Sequence, residues 1–268
     1  MDIYTDINQL PYIKYGIVSV GTFDGVHEAH RIILAEMASF AHTSGGESIV
    51  FTFASHPQKL IDPQYDIKIL TTQQEKNCLF EQMGVNHVVY LPFDWNIAKM
   101  SYIDFIDMLS SKIKIAGIVV GYDHGFGRNR EGNIARLQQL ADNYRFELVE
   151  IPKQTVNGMN IKSSVIRDVI KKGDMLSANR LLGYEYSIEV LVCGVEPHAA
   201  ASNPEKLLPA DGIYPVEIDC RKKTVEIKAG KFYLPDEDML FAMRKKDTFV
   251  VKFIGNKTAV EPSHDVAF

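Results

Sequence analysis

The sequence predicts an α/β fold: a parallel sheet with helices on both faces, followed by a small antiparallel β barrel. Two features of the 268 residues point there. Up to about residue 183, short apolar runs alternate with helical patterns, as βαβ units require. Beyond it, strands that alternate apolar and polar residues follow one another between turn residues, which is antiparallel texture. We therefore expect one domain over 1–183 and a second over 184–268, a division that also suits the length.

The elements follow in order. Ile17 to Val20 form an apolar run ending in Gly21, and Ile33, Met37, Phe40 and Ala41 then recur at helical spacing, giving strand, glycine-bearing turn and helix. SIVFTF at 48–53 reads as a strand, Glu75 to Met83 as a helix closed by Gly84, and HVVYLPF at 87–93 as a strand. SYIDFIDMLSSKI at 101–113 reads as a helix, IAGIVVG at 115–121 as a buried strand, ARLQQLADNY at 135–144 as a helix and FELVEI at 146–151 as a strand. Ligands of such a sheet are expected at the carboxyl ends of its strands. Leu181-Leu182-Gly183 closes a last helix, after which YSIEVLVCG, GIYPVEID, KTVEIK and TFVVKFIG supply the barrel strands, with a helix over 236–246. Trp95, Tyr102 and Phe105 are expected to serve packing, and Thr72 with Glu75 to form a capping box.

Composition narrows the function. With 46% hydrophobic and 24% charged residues the chain can bury a core, which excludes disordered and fibrous classes. Lys and Arg number 29 against 34 Asp and Glu, and the net charge of -5 argues against nucleic acid as a partner. Cys78, Cys193 and Cys220 are widely separated and form no C-x-x-C pair, which fits a reducing compartment. MDIYTDINQL is acidic without an apolar run, and the apolar stretch at 115–122 is too short to span a bilayer. The expectation is a cytoplasmic protein with no membrane partner.

The sharpest segment is GTFDGVHEAH, Gly21 to His30. Glycines flank Asp24 at a strand end, and His27 and His30 are three apart, hence on one face of the helix that begins there. Two imidazoles, backbone N–H groups and the positive end of a helix dipole converging on one point make an anion site. The spacing excludes H-E-x-x-H metalloprotease chemistry, which needs histidines four apart, and neither a G-x-G-x-x-G fingerprint nor a P-loop is present. His42, His87, His198 and His264 read as surface or satisfied polar residues, and Lys171-Lys172 as complements of a helix end.

GTFDGVHEAH resembles the H-x-G-H nucleotidyltransferases, whose Rossmann-like αβ domain binds ATP or CTP at the carboxyl edge of its sheet. KSSVIRDVI, Lys162 to Ile170, is similar to the S-S-T-x-I-R element of that superfamily. Within it, the chain resembles the bacterial FAD synthetase module of the bifunctional riboflavin kinase and FMN adenylyltransferase proteins. FTFASHP at 51–57, LTTQQEK at 70–76, the stretch from Asp94 to Ser101, VVGYDHGFGRNREG at 119–132 and GDMLSANRLLGYEYSI at 173–188 carry the likeness in the same order. The resemblance implies catalytic roles for His27, His30 and Arg167. It implies ATP contacts at Gly21, Thr22, Phe23, Asp24, Gly121, Asp123, Phe126, Gly127, Ser163 and Ser164, and flavin contacts at His56 and Pro57. The reaction implied is attack of the FMN phosphate on the α-phosphorus of ATP, with Mg²⁺ bridging phosphates and FAD and pyrophosphate leaving.

Four positions depart from the family. Ala29 replaces the glycine of H-x-G-H, Ser55 a proline, Gly125 a common basic residue, and Lys162 a serine. One methyl in a tight ligand contact costs roughly 1–3 kcal/mol where the site does not relax. LLPADGIYPVEI at 207–218 looks like the riboflavin kinase barrel, yet the P-T-A-N element is absent and AAASN at 199–203 stands in its place, so kinase activity is expected to be weak or absent. Three activities stay open at this point. They are FMN adenylyl transfer, nucleotidyl transfer to another phosphorylated acceptor, and nucleotide or flavin binding by a catalytically impaired regulator.

Overall fold

The computed structural model describes residues 1–62, 64, 66–192, 198–234 and 248–258. The chain divides into two compact units, Met1–Ile161 and Lys162–Phe268.

The first unit carries β1 (Asp2–Tyr4), β2 (Ile13–Val20), α1 (Glu28–Ser44), β3 (Glu47–Phe53), α2 (Gln58–Ile61), α3 (Gln73–Gln82), β4 (His87–Leu91), α4 (Trp95–Lys99), α5 (Tyr102–Ser110), β5 (Ile113–Gly121), α6 (Ile134–Tyr144), β6 (Glu147–Ile151) and a two-stranded hairpin of β7 (Thr155–Val156) and β8 (Met159–Asn160). The six long-range strands form one sheet in the order β1-β4-β3-β2-β5-β6, and every neighbouring pair is parallel. Both faces are covered, so successive residues of one strand enter different cores. Val18 and Val20 of β2 join the cluster of Phe105, Leu109, Leu137 and Leu140 from α5 and α6. Ile17 joins Leu34, Met37 and Phe80 from α1 and α3 on the opposite face. Helix α1 lies close against the sheet because Gly117 has no side chain; a Cβ there would come within 2.4 Å of the Phe40 ring.

The second unit begins with α7 (Ser163–Lys172) and α8 (Met175–Leu182) and continues through β9 (Ser187–Val192), β10 (Ala199–Ala201), β11 (Gly212–Ile218), β12 (Arg221–Lys228), β13 (Lys231–Tyr233) and β14 (Thr248–Phe253). These strands close into an antiparallel barrel in the order β10-β13-β12-β11-β14-β9. Asp219 and Cys220 between β11 and β12 both take positive φ, 49° and 59°, the backbone that a tight two-residue hairpin requires. The interior is aromatic: Tyr186, Tyr214, Phe232 and Phe253 are fully buried, and the two phenols donate to the carbonyls of Leu207 (2.7 Å) and Ala210 (2.6 Å).

The fold class is the expected one. The contact-based division of the chain falls at Ile161/Lys162, and α8 is tied to the barrel strands by polar bonds. Asn179 donates to the Phe253 carbonyl (2.8 Å) and accepts from the Tyr186 amide (2.8 Å), and the Leu176 amide donates to Asn256 (2.8 Å). Trp95 corrects the packing expectation: it is 54% exposed, with the Lys99 ammonium 5.6 Å from its ring. Thr72 and Glu75 do form the capping box of α3. The helix expected over 236–246, Cys193 and His264 lie outside the described residues. Among the described residues, no helix is long and apolar enough to cross a membrane.

Candidate functional site: a strained loop at the sheet's switch point

Strand β2 is followed by β3 on one side and flanked by β5 on the other, so the strand order reverses between β2 and β5. The crevice outside the carboxyl ends of such a pair is where open α/β sheets receive ligands. The loops leaving that edge are 21–27 after β2 and 122–127 after β5.

Loop 21–27 is strained. Phe23, Gly25 and Val26 take φ of 48°, 86° and 34°, and positive φ in a β-branched residue such as Val26 persists only where the surroundings impose it. Asp24, 4% exposed, is the main restraint: its Oδ1 accepts from the amides of Leu70 (2.9 Å) and Thr71 (3.1 Å). The Thr71 hydroxyl accepts the Gly25 amide (2.9 Å), and the Thr52 hydroxyl donates to the Thr22 carbonyl (3.1 Å). Phe23 buries its ring against Phe80 and His30, with centroids 5.7 and 5.1 Å away, and Gly21 leaves room for that ring.

His27 is the N-cap of α1, and its Nδ1 accepts the His30 amide (3.4 Å). That bond holds the ring over the first turn, where it stacks on His30 with centroids 3.6 Å apart and planes 13° from parallel. The Nδ1 of His30 is buried without a hydrogen-bond partner among the described residues. Burial, then the neighbouring His27 and Lys76, hold His30 well below the ordinary imidazole value of 6.5. Leaving such an atom unpaired costs roughly 1–3 kcal/mol. Beside the positive end of α1, a neutral imidazole with unused hydrogen-bonding capacity is suited to hold an anion.

The second loop is rigid for other reasons. Gly127 takes φ 72°, and a Cβ there would stand 2.8 Å from the Tyr102 backbone nitrogen, so no other residue fits. Phe126 is a core residue, 9% exposed, 5.5 Å from the Phe105 ring, and it exchanges both backbone hydrogen bonds with Gly132. Gly121 ends β5, and Asp123 is exposed, its carbonyl accepting from Arg130 (2.9 Å). His124 lines a small apolar cavity with Val20, Phe105, Ile118 and Leu137, where burial pulls it down to about 4. On the other flank of β2, His56 follows β3 with its Nδ1 accepting the Gln58 amide (3.3 Å), and Pro57 starts α2.

The expected site residues up to Gly127 thus gather on three adjacent carboxyl ends. Ser163, Ser164 and Arg167 belong to the second compact unit, on α7. The N-cap of α7 is Lys162, whose side chain makes no capping bond, so this is not an ordinary serine-capped helix. Lys76 was missed. It is 7% exposed, its ammonium 3.5 Å from the Thr22 carbonyl and 5.4 Å from the centre of the Tyr90 ring. The signal was its spacing four before Phe80, the other buried residue of α3. Among the described residues, no group of three or more His, Cys, Asp or Glu is arranged to hold a metal ion.

A doubly wound sheet with a stacked histidine pair at its switch point defines a Rossmann-like α/β protein with a candidate anion site. More particularly, the sequence profile of the FAD synthetase family matches residues 12–165, more than half of the chain, and the chain belongs to that family. It is 28% identical over 233 residues to a bifunctional riboflavin kinase/FMN adenylyltransferase of Listeria monocytogenes, covering 83% of this chain and 72% of that one. It is also 28% identical over 203 residues to an FAD synthetase of the same organism, covering 75% and 80%. A crystal structure of a macrolide-efflux protein from Streptococcus pneumoniae shares the fold, with a TM-score of 0.84 over 99% of this chain and 93% of that one at 20% identity.

Proposed function

We propose that this protein is an FMN adenylyltransferase, transferring AMP from ATP to FMN to give FAD and pyrophosphate. The observation that carries the reading is the stacked pair of His27 and His30, with one buried nitrogen unsatisfied, at the helix start beside the switch point of an FAD synthetase-family domain. ATP is held along Gly21, Thr22, Phe23 and Asp24 after β2 and along Gly121, Asp123, Phe126 and Gly127 after β5. Of these, Asp24 and Phe126 act from behind, fixing their loops, because both are buried and engaged with the protein itself. The flavin phosphate approaches from the side of His56 and Pro57. His27 and His30 donate to phosphoryl oxygens as charge develops there, an effect of preorganised donors rather than of covalent chemistry.

On the sequence resemblance, Arg167 stabilises the same charge and Ser163 and Ser164 bind phosphate; the family match runs through Val165 and so includes both serines. On the same resemblance, the functional module extends through Gly183. Mg²⁺ bound with ATP would supply charge neutralisation at the phosphates. The barrel lacks the P-T-A-N element, and riboflavin kinase activity is weak or absent.

The test is incubation of flavin-free protein with ATP, Mg²⁺ and either FMN or riboflavin, with products resolved by chromatography. FAD and pyrophosphate from FMN, without FMN from riboflavin, is the expected result. Flavin or nucleotide binding without pyrophosphate release would overturn it in favour of a regulator, and preference for another phosphorylated acceptor would overturn the flavin assignment.

A further inference from the structure

Lys76 is a buried cation that the reaction above leaves without a task. It stands one turn into α3, the helix whose preceding residues, Leu70 and Thr71, grip Asp24. Among the described residues its ammonium makes one hydrogen bond, the 3.5 Å contact with the Thr22 carbonyl, although it has three N–H groups to place. Asp24 on the loop favours its charged form, and His30, on α1 and stacked on His27, feels its repulsion. From β4 it faces Tyr90, whose phenol donates to Asn77 (2.7 Å). On its own helix, the Glu75 carboxylate accepts the Thr72 amide (2.7 Å). One buried carboxylate thus stands against a lysine and two imidazoles. Burying a cation with so little compensation is unfavourable, and an anion entering the site would remove the deficit.

We propose that Lys76 is a positioning residue for polyphosphate binding: its ammonium braces the strained 22–24 loop and adds positive charge behind the stacked histidines when the anion is bound. This deepens the adenylyltransferase reading and rests on it. Burial lowers Lys76 to about 8, with Asp24 acting in the opposite sense, so the empty site keeps the ammonium near neutral pH and loses it as pH rises through 8. Phosphate favours the charged form. Affinity for ATP is therefore full below pH 8 and falls as pH rises through 8.

The experiment is calorimetric titration of the full chain with ATP and Mg²⁺ from pH 7 to 9, beside an assay of FAD formation. The wild-type dissociation constant should rise about 10-fold across that range, with proton uptake on binding at pH 8. Lys76→Met, whose flexible apolar side chain suits the buried position, should bind roughly 10- to 100-fold more weakly at pH 7 with a flat profile. Lys76→Arg should recover most of the affinity and also stay flat, because guanidinium does not lose its proton. Wild-type binding by Lys76→Met, or an unchanged pH profile in either variant, overturns the inference. Should Lys76→Met not fold, judged by its melting transition, the Lys76→Arg profile decides alone. A wild type that makes FAD with a flat profile defeats the role of Lys76 only, whereas a wild type that neither binds ATP nor makes FAD defeats both readings.

Discussion

His30, whose Nδ1 is buried, and the buried His87 lie at opposite edges of the same sheet, and the sequence surrounds them in opposite ways. His87 begins β4 at the amino edge, where its Nε2 meets the Glu47 carboxylate at 2.8 Å, its Nδ1 lies 3.7 Å from Asp2, and the Tyr4 hydroxyl is 3.5 Å away. His30 stands at the carboxyl edge with another imidazole stacked on it, a lysine nearby and one nitrogen unsatisfied. A histidine enclosed by acids is a pin that fastens strands. One enclosed by cations, at a helix start, is kept ready for negative charge that the protein does not itself supply. Burial alone does not separate structure from function; the sign of the neighbours does.

The largest effect should come from testing that distinction at His30. His30→Ala is expected to lower turnover of FMN to FAD by roughly 10²- to 10³-fold, the scale of losing one aimed donor. Its melting temperature should hold or rise slightly, since the substitution removes an unsatisfied buried atom. Parallel kinetics and thermal melts check this, and a variant that loses stability while keeping its rate would erase the contrast with His87.

His124 sharpens the comparison as a third case, half-buried against an apolar cavity with one cation, Arg130, and one acid, Asp123, acting on it in opposite senses. Val20, Phe105, Phe126 and Leu137 line its cavity, and burial, then the Arg130 charge, pull it from 6.5 down to about 4 against the opposing effect of Asp123. A depressed histidine favours the fold in its neutral form. Its contribution is thus complete above pH 6.5 and is lost as pH falls towards 4, amounting to ~2–3 kcal/mol at the acid end. His124→Phe should remove that share of the acid sensitivity in denaturant titrations between pH 7 and 4.5, leaving a residual slope from His30. An unchanged slope would mean that the imidazole reaches water.

Much of this architecture is legible in local pattern. The runs IVSV, SIVFTF and IAGIVVG announce buried parallel strands, and GTFDGVHEAH announces the site, because both signals reside in consecutive residues. What stayed hidden depends on distant partners. β1 has only Ile3 and Tyr4 as apolar residues and becomes a strand by pairing with β4, Asp2 opposite His87. The grip of Leu70 and Thr71 on Asp24 joins segments 46 and 47 residues apart, so nothing near Asp24 reveals that its carboxylate is committed to the protein. Lys76 lies between these extremes: a lysine four residues before a buried phenylalanine is readable as facing inward, but its nearness to His30 is not.

The smallest effect belongs to His87 and completes the comparison from the structural side. His87→Leu keeps a buried side chain of similar size but removes the bonds to Glu47 and the link to Asp2 and Tyr4. Glu47 is 49% exposed on its side chain and can return to water, so the loss should be ~1–2 kcal/mol rather than the larger cost of stranding a buried charge. Because β1, among the described residues, pairs with β4 alone, the loss should concentrate in that edge pair, where hydrogen exchange of the β1 amides should quicken before the rest of the sheet. FAD formation should stay within about 2-fold of wild type, since surface-to-edge losses of this kind leave a distant rigid site in place. A His87→Leu protein that exchanged normally in β1 would show that the strand is held by its backbone ladder alone, and one that lost activity would show that the two edges of the sheet are coupled.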